Sequence, residues 1–128
     1  ASAKDLGIES LIENHGEVAL ESIAAIYDEL DIFVFASFCE SFGFPTVEAM
    51  ARGIPIVAAA TTENIEVTRG AALTFAPFDA DALARQLAIL MDDRRERARR
   101  AELSLVKSRN YSWERAARET IAALRTVK

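Results

Sequence analysis

Two carboxylates flank a short apolar loop near the middle of the chain, in the stretch CESFGFPTVEAM at residues 39–50. Glu40 and Glu48 are separated by seven residues, which include a glycine, a proline and two phenylalanines. Carboxylates accept hydrogen bonds from hydroxyl groups, so such a pair is a candidate site for a hydroxyl-bearing ligand. The alternative is two unconnected glutamates, one solvated in a loop and one favoured by a helix dipole. The spacing alone does not decide between the two interpretations.

The residues between the glutamates predict the start of a helix. A proline near the beginning and a glycine just past the end predict a short helix over residues 45–52. The backbone around Gly43, Phe44 and Thr46 would then form an anion-binding helix N-terminus, and Gly43 would let a ligand approach closely. A phosphate flanked by hydroxyl groups would satisfy both the N-terminus and the glutamates. A nucleotide-sugar has this chemistry, with its ribose at one end and its sugar at the other.

The elements around this stretch alternate between strands and helices. Continuous apolar runs predict buried parallel strands at 31–37, 54–60 and 71–75, and a more polar segment predicts a further strand at 9–14. Apolar residues at helical spacing predict helices at 18–30 and from residue 79 onward, and residues 93–107 are predicted to form a further, highly charged helix. The pattern indicates an α/β fold, a Rossmann-like parallel sheet of about four strands with flanking helices, in one domain over residues 1–128. In such sheets ligands bind at the carboxyl ends of the strands, where the loop with Glu40 lies.

Two further segments carry specific predictions. Residues 61–70 are polar and predict a loop, with a short helical turn within it as the alternative. Ser112 predicts the cap of a C-terminal helix within residues 108–128. Its apolar stripe, which begins at Trp113, is expected to anchor this helix to the sheet.

Composition narrows the class of protein. The chain has 128 residues, of which 51% are hydrophobic and 27% charged, as is typical of a soluble globular protein. One cysteine rules out an intrachain disulfide and fits a cytoplasmic location. The net charge of −5 argues against nonspecific binding to nucleic acid.

The run DIFVFASFCESFGFPTVEAMARGIPIVAAA resembles the C-terminal, donor-binding domain of retaining GT-B-fold glycosyltransferases of the large family 4 group. The shared pattern is an apolar strand, the E-(seven residues)-E signature and then EAMA-x-G-x-P. The resemblance implies transfer of a sugar from a nucleotide-sugar to an acceptor with retained anomeric configuration. It implies no metal and no cofactor, because the nucleotide-sugar is the substrate.

The resemblance also assigns roles to residues. Glu40 matches the glutamate that contacts the donor sugar and is the candidate catalytic residue, and Glu48 matches the glutamate that holds the ribose hydroxyls. The backbone of Phe42, Gly43 and Phe44 matches the loop that cradles the diphosphate, with Thr46 as a neighbour. Where this family has a glycine-rich loop, the chain has residues 61–66, of which only the final Glu66 matches.

The resemblance covers only part of a two-lobe enzyme. It implies a truncated C-terminal lobe, without the basic residues that neutralise the diphosphate and without the acceptor lobe, so the isolated chain is expected to be inactive. The expected partners are the missing N-terminal lobe or another copy of the chain, with peripheral membrane association of the full enzyme. Strand 9–14 is expected to pair with 31–36; otherwise that apolar edge is expected to pair with a second chain and form a homo-oligomer. The alternative function is a non-catalytic, self-associating module that keeps the family scaffold.

Overall fold

The computed structural model describes residues 2–126 and contains three strands and six α-helices within that range. The strands are β1 (Phe33–Phe35), β2 (Ile56–Ala59) and β3 (Leu73–Phe75). The helices are α1 (Leu20–Asp28), α2 (Phe44–Ala51), α3 (Thr62–Thr68), α4 (Ala80–Asp92), α5 (Arg94–Ser108) and α6 (Trp113–Thr126). None of the helices in this range is both long and apolar enough to cross a membrane. The predicted C-terminal helix region ends at residue 128, and its last two residues lie outside the described range.

The strands form one parallel sheet in the order β1-β2-β3. Helix α2 connects β1 to β2 and helix α3 connects β2 to β3. All four residues of β2 are buried, because successive side chains point to opposite faces and both faces are covered. The prediction of an α/β fold with a parallel sheet is therefore confirmed.

Two hydrophobic clusters cover the faces of the sheet. One face packs against residues of α1, α2, α3 and α5, around Ile56 and Ala58 of the central strand. The opposite face packs mainly against α4, around Val57 and Ala59. The first cluster sets the position of α2, whose residues Thr46, Ala49 and Met50 are all fully buried.

The predicted strand at 9–14 is wrong, and the described sheet has three strands rather than about four. The segment instead contains a single 3-10 turn at Glu9–Leu11, and all of its residues are exposed. Its two large apolar residues, Leu11 and Ile12, are adjacent, so a strand would send them to opposite faces. Neither face of such a strand would gain a continuous apolar surface to bury. Within residues 2–126 no strand pairs with the outer edge of β1.

The predicted loop at residues 61–70 is wrong for most of its length, because the helical turn given as its alternative is the whole of α3. Thr61 caps this helix, and its hydroxyl oxygen accepts a hydrogen bond from the Asn64 backbone at 3.2 Å. The helix buries Asn64 and Thr68 as well as Val67. A pattern of apolar residues could not reveal a helix whose inner face is largely polar.

The C-terminal helix forms where it was predicted, but its apolar face is not anchored to the sheet. The Ser112 hydroxyl accepts the Arg115 backbone N–H at 3.1 Å, as a capping residue should. Trp113 is 78% exposed, and Ile121 and Leu124 are also exposed, so the anchoring prediction is wrong. An amphipathic stripe predicts which face is apolar, but it does not predict what covers that face.

Candidate functional site

The N-terminus of α2 lies at the carboxyl end of β1, as the sequence predicted. Gly43 is the N-cap residue, with φ of 83°, a conformation that glycine adopts without the strain of a side chain. Among the described residues, no protein acceptor takes the backbone N–H of Gly43 or Phe44. The Thr46 N–H is not free, because it donates to the Gly43 carbonyl at 3.0 Å. Two of the three expected backbone groups therefore remain available to an anion.

Two buried polar atoms next to Gly43 have no hydrogen-bond partner among the described residues. They are the hydroxyl Oγ1 of Thr46 and the amide Oδ1 of Asn64, and both side chains are almost completely buried. A Cβ placed on Gly43 would lie 3.7 Å from the first and 3.8 Å from the second. Buried polar groups are nearly always paired, so an unpaired pair beside a helix N-terminus indicates a place for a ligand or a water molecule.

Asn64 was not among the predicted site residues, although it connects two loops of the site. Its Nδ2 donates to the Ser37 carbonyl at 3.2 Å and to the Ala59 carbonyl at 3.0 Å. These carbonyls follow β1 and close β2, so one side chain ties together the carboxyl ends of neighbouring strands. Thr61 as a candidate N-cap, followed by the acidic Glu63 in the first turn, was the signal that could have located α3 and, with it, this asparagine.

Glu48 is exposed and lies one position beyond the first turn of α2, whereas the predicted helix at 45–52 would place it within the first turn. This position weakens the alternative that a helix dipole alone explains the glutamate, since that effect fades after the first turn. Tyr27, a buried residue of α1, donates its hydroxyl proton to the Pro45 carbonyl of the same helix at 3.2 Å, so α1 is bonded to the helix that carries Glu48. Burial, followed by the neighbouring Glu48, raises the pKa of Tyr27 to about 12, against a smaller opposing effect of Arg52.

The groove next to Glu48 is lined by aromatic rings. It has a volume of about 590 Å³ and lies between the loop before α2, the end of α3 and the first turns of α6. Phe44 stacks on Trp113 with ring centroids 6.2 Å apart, and Phe42 meets Tyr111 edge-on at 5.6 Å. The Tyr111 hydroxyl donates to the Val67 carbonyl at 2.9 Å, which joins the start of α6 to α3.

The structure thus brings some of the predicted site residues together. Phe42, Phe44 and Glu48 share the aromatic groove, whereas Gly43 and Thr46 lie together at the start of α2. Glu40 lies half-buried in the loop between β1 and α2, apart from the residues that line the groove. Across residues 2–126, no group of three or more acidic, histidine or cysteine side chains could hold a metal ion.

Comparison with known proteins decides the family. Residues 1–104 match the family described as glycosyl transferases group 1. This chain belongs to the group 1 glycosyltransferases. The family match includes the whole sheet, both glutamates and helices α1 to α4.

Several curated glycosyltransferases are similar to this group 1 member. The O-antigen chain mannosyltransferase B of Escherichia coli is 32% identical over 119 residues, which are 93% of this chain and 31% of that protein. The D-inositol 3-phosphate glycosyltransferase of Corynebacterium glutamicum is 34% identical over 113 residues, which are 87% of this chain and 27% of that protein. The chain therefore spans about a third of the length of the curated relatives that it matches.

Two solved structures share the fold. The C-terminal domain of a group 1 glycosyl transferase from Francisella tularensis has a TM-score of 0.75 at 27% identity and covers 84% of this chain and 57% of that one. The sucrose-phosphate synthase of Thermosynechococcus elongatus has a TM-score of 0.84 at 23% identity and covers 98% of this chain and 32% of that one. The fold of this chain is thus that of a glycosyltransferase C-terminal domain.

Proposed function

We propose that this domain is the donor-binding part of a retaining glycosyltransferase that moves a sugar from a nucleotide-sugar to an acceptor. The observation that carries the proposal is the α2 N-terminus, where free backbone N–H groups and the unpaired Thr46 hydroxyl meet. This cluster suits a diphosphate, because N–H and O–H donors bind anionic oxygens and the helix dipole adds positive potential. Glu48, farther along the same helix, would accept hydrogen bonds from the ribose hydroxyls.

The chemistry of such a site rests on position and electrostatics. As the bond between the sugar and the diphosphate breaks, negative charge grows on the departing diphosphate. The N-terminus of α2 would stabilise that charge, since its donors are already oriented by the fold. Glu40 would contact the donor sugar and hold its reacting carbon in place. The site residues and the absence of a cofactor stay predictions of the sequence, as does a cytoplasmic location.

The isolated 128-residue chain is proposed to bind a donor without transferring its sugar. Its relatives are about three times longer, and the acceptor site is assigned to the remainder of such a protein. The remaining lobe would be the main partner, and the exposed apolar face of α6 is a surface that it could cover. Peripheral membrane association of the longer enzyme stays a prediction. Sugar transfer by the purified chain would contradict this part of the proposal.

Replacing Glu48 by glutamine tests the proposed nucleotide site. Calorimetric or NMR titration of the chain with UDP, GDP and ADP should detect binding of at least one of them. Glu48→Gln should weaken that binding about fivefold, because a neutral amide replaces a charged acceptor of hydroxyl hydrogen bonds. Glu102→Gln is the matched control, since Glu102 is also an exposed glutamate within a helix but lies on α5. No binding to any nucleotide, or equal losses in both variants, would contradict the proposal.

The second candidate function is a non-catalytic module that associates with itself. The outer edge of β1 favours it, because no strand within residues 2–126 covers that edge and Val34 is 39% exposed. Light scattering over a range of protein concentrations distinguishes the candidates. A dimer that dissociates when Val34 is replaced by lysine, together with no nucleotide binding, would favour the module over the donor-binding domain.

A further inference from the structure

Two exposed phenylalanines contact each other at the edge of the sheet where the strands end. Phe38 lies in the loop after β1 and is 60% exposed, and Phe78 lies in the loop after β3 and is 84% exposed. Their ring centroids are 4.8 Å apart, and the rings are tilted by 50°. Because β2 lies between β1 and β3, this contact spans the carboxyl end of the central strand. The ring pair is therefore at the edge that carries the start of α2 and the loop with Glu40.

The backbone gives no structural reason for a phenylalanine at position 78. The Asp79 N–H donates to the Ala76 carbonyl at 3.0 Å and closes a turn. Pro77 is the second residue of this turn and Phe78, with φ of 66°, is the third, which is the arrangement of a type II turn. Glycine is the usual third residue, because a side chain is strained there. Phe78 bears this strain although its exposed ring contributes little to the core.

A carboxylate with one available oxygen follows the strained phenylalanine. Oδ1 of Asp79 accepts the Ala82 backbone N–H at 2.8 Å, which fixes the side chain at the start of α4. Oδ2 lies 4.0 Å from Nη2 of Arg85, which is too long for a hydrogen bond. This oxygen can therefore accept a hydrogen bond from a ligand hydroxyl. Exposed rings next to such an acceptor match a sugar, whose C–H groups form an apolar face and whose hydroxyls surround it.

We propose that Phe38 and Phe78 form a stacking surface for a sugar ring, with Asp79 as the acceptor for one of its hydroxyl groups. The inference rests on the proposed function and deepens it, because a domain that takes part in sugar transfer must hold a sugar at this edge. The negative face of an aromatic ring attracts the C–H groups of a sugar. Backbone strain of the kind seen at Phe78 is concentrated at ligand sites. The sugar belongs either to the nucleotide-sugar or to a saccharide acceptor, and the ligands used in the test distinguish the two.

Phe78→Gly tests the stacking surface, because it removes the ring and suits the turn. The first set of ligands pairs UDP, GDP and ADP with UDP-glucose, GDP-mannose and ADP-glucose, so the ratio of affinities within a pair measures the contribution of the sugar. The second set is maltotriose and mannotriose, titrated at millimolar concentration and followed by NMR. Phe78→Gly should weaken the binding of one set of sugars about fivefold and leave the affinity for the free nucleotide unchanged. Phe78→Tyr keeps an aromatic ring and should bind like the wild type.

Stability measurements and two further variants separate stacking from folding. Phe78→Gly should change the midpoint of urea unfolding little, because relief of strain offsets the lost ring contact and the greater freedom of glycine in the unfolded chain. Phe38→Ala should weaken sugar binding as Phe78→Gly does, although it leaves the turn intact. Leu20→Ala is the matched control, since Leu20 is an apolar residue that is 82% exposed on α1. It should leave sugar binding unchanged.

The outcomes distinguish this inference from the proposed function. Losses confined to the nucleotide-sugars assign the surface to the donor sugar, and losses confined to the free saccharides assign it to the acceptor; either result supports the inference. If Phe38→Ala and Phe78→Gly bind every sugar ligand like the wild type, or if Leu20→Ala loses as much, the inference is overturned. The proposed function still stands in that case when Glu48→Gln weakens nucleotide binding. If the wild-type chain binds neither nucleotides nor sugars, both fail.

Discussion

Replacing Thr46 by valine is expected to weaken nucleotide binding at least tenfold while the domain becomes no less stable. The side chain is fully buried, and its hydroxyl has no hydrogen-bond partner in the described structure. Valine has nearly the same shape and removes a polar atom whose burial is unfavourable, so the free energy of unfolding should stay constant or rise by about 1 kcal/mol. The lost hydrogen bond to an anionic oxygen is worth about 1.5–3 kcal/mol, which corresponds to a tenfold or larger loss of affinity.

Thr68 provides a matched control for this change. It is also a buried threonine, but its hydroxyl donates to the Asn64 carbonyl at 2.8 Å. Thr68→Val should therefore lower the free energy of unfolding by about 1 kcal/mol, and it should leave nucleotide affinity nearly unchanged. Urea denaturation followed by circular dichroism gives the stabilities, and calorimetric titration gives the affinities. A Thr46→Val variant that loses stability and keeps its affinity would show that the hydroxyl is structural.

The opposite signs expected at these two threonines follow from how the site is built. Enzyme sites keep polar groups that are unsatisfied until the ligand arrives, at a cost in stability. Under the proposed function the unpaired Thr46 hydroxyl would be of this kind, and it lies beside a glycine in the left-handed conformation. Ala49 and Met50 of the same helix are fully buried, and their burial in the core offsets this cost.

The sequence predicted most of the sheet because its strands are short, apolar runs that need two covered faces. The central strand at 54–60 was placed correctly, with its ends trimmed to Ile56–Ala59 in the structure. The strand at 9–14 failed because a strand needs a partner as well as suitable residues, and no local pattern reports the partner. The extent of α3 was not predicted because most of its buried residues are polar, so the helix has no apolar stripe that a sequence pattern could reveal.

The sequence also located the start of α2, but it could not locate the residues that support it. Gly43 and Pro45 carry local signals for a helix N-terminus, and those signals do not depend on distant contacts. Tyr27 and Asn64 donate hydrogen bonds to carbonyls far from them in the chain, at Pro45 and Ser37, so spacing could not connect them with the start of α2. Trp113 has the spacing of a core residue and yet is exposed, because its face of α6 is uncovered within the described residues.

Gly53→Ala is expected to give the largest loss of stability, about 2–3 kcal/mol. Gly53 follows α2 with φ of 68°, where alanine is strained by about 1 kcal/mol. Its added Cβ would also lie 2.9 Å from Cγ of Leu105 on α5, and crowding of this kind adds about 1–3 kcal/mol. Leu105 is 43% exposed, so its side chain can move partly out of the way. The expected loss of stability is therefore smaller than the largest strain and the largest crowding added together.

Gly70→Ala separates the backbone strain from the clash with Leu105. Gly70 has a similar φ of 81°, but no atom lies within 4 Å of a Cβ added there. It should lose only about 1 kcal/mol, and the excess at Gly53 then measures the clash with α5. Adding Leu105→Ala should recover part of that excess in Gly53→Ala but give no recovery in Gly70→Ala. Equal midpoints of urea unfolding for the two glycine variants would refute the clash. Because Leu105 of α5 packs on Gly53 just beyond the end of α2, the relieved double variant should also regain any nucleotide affinity that Gly53→Ala loses.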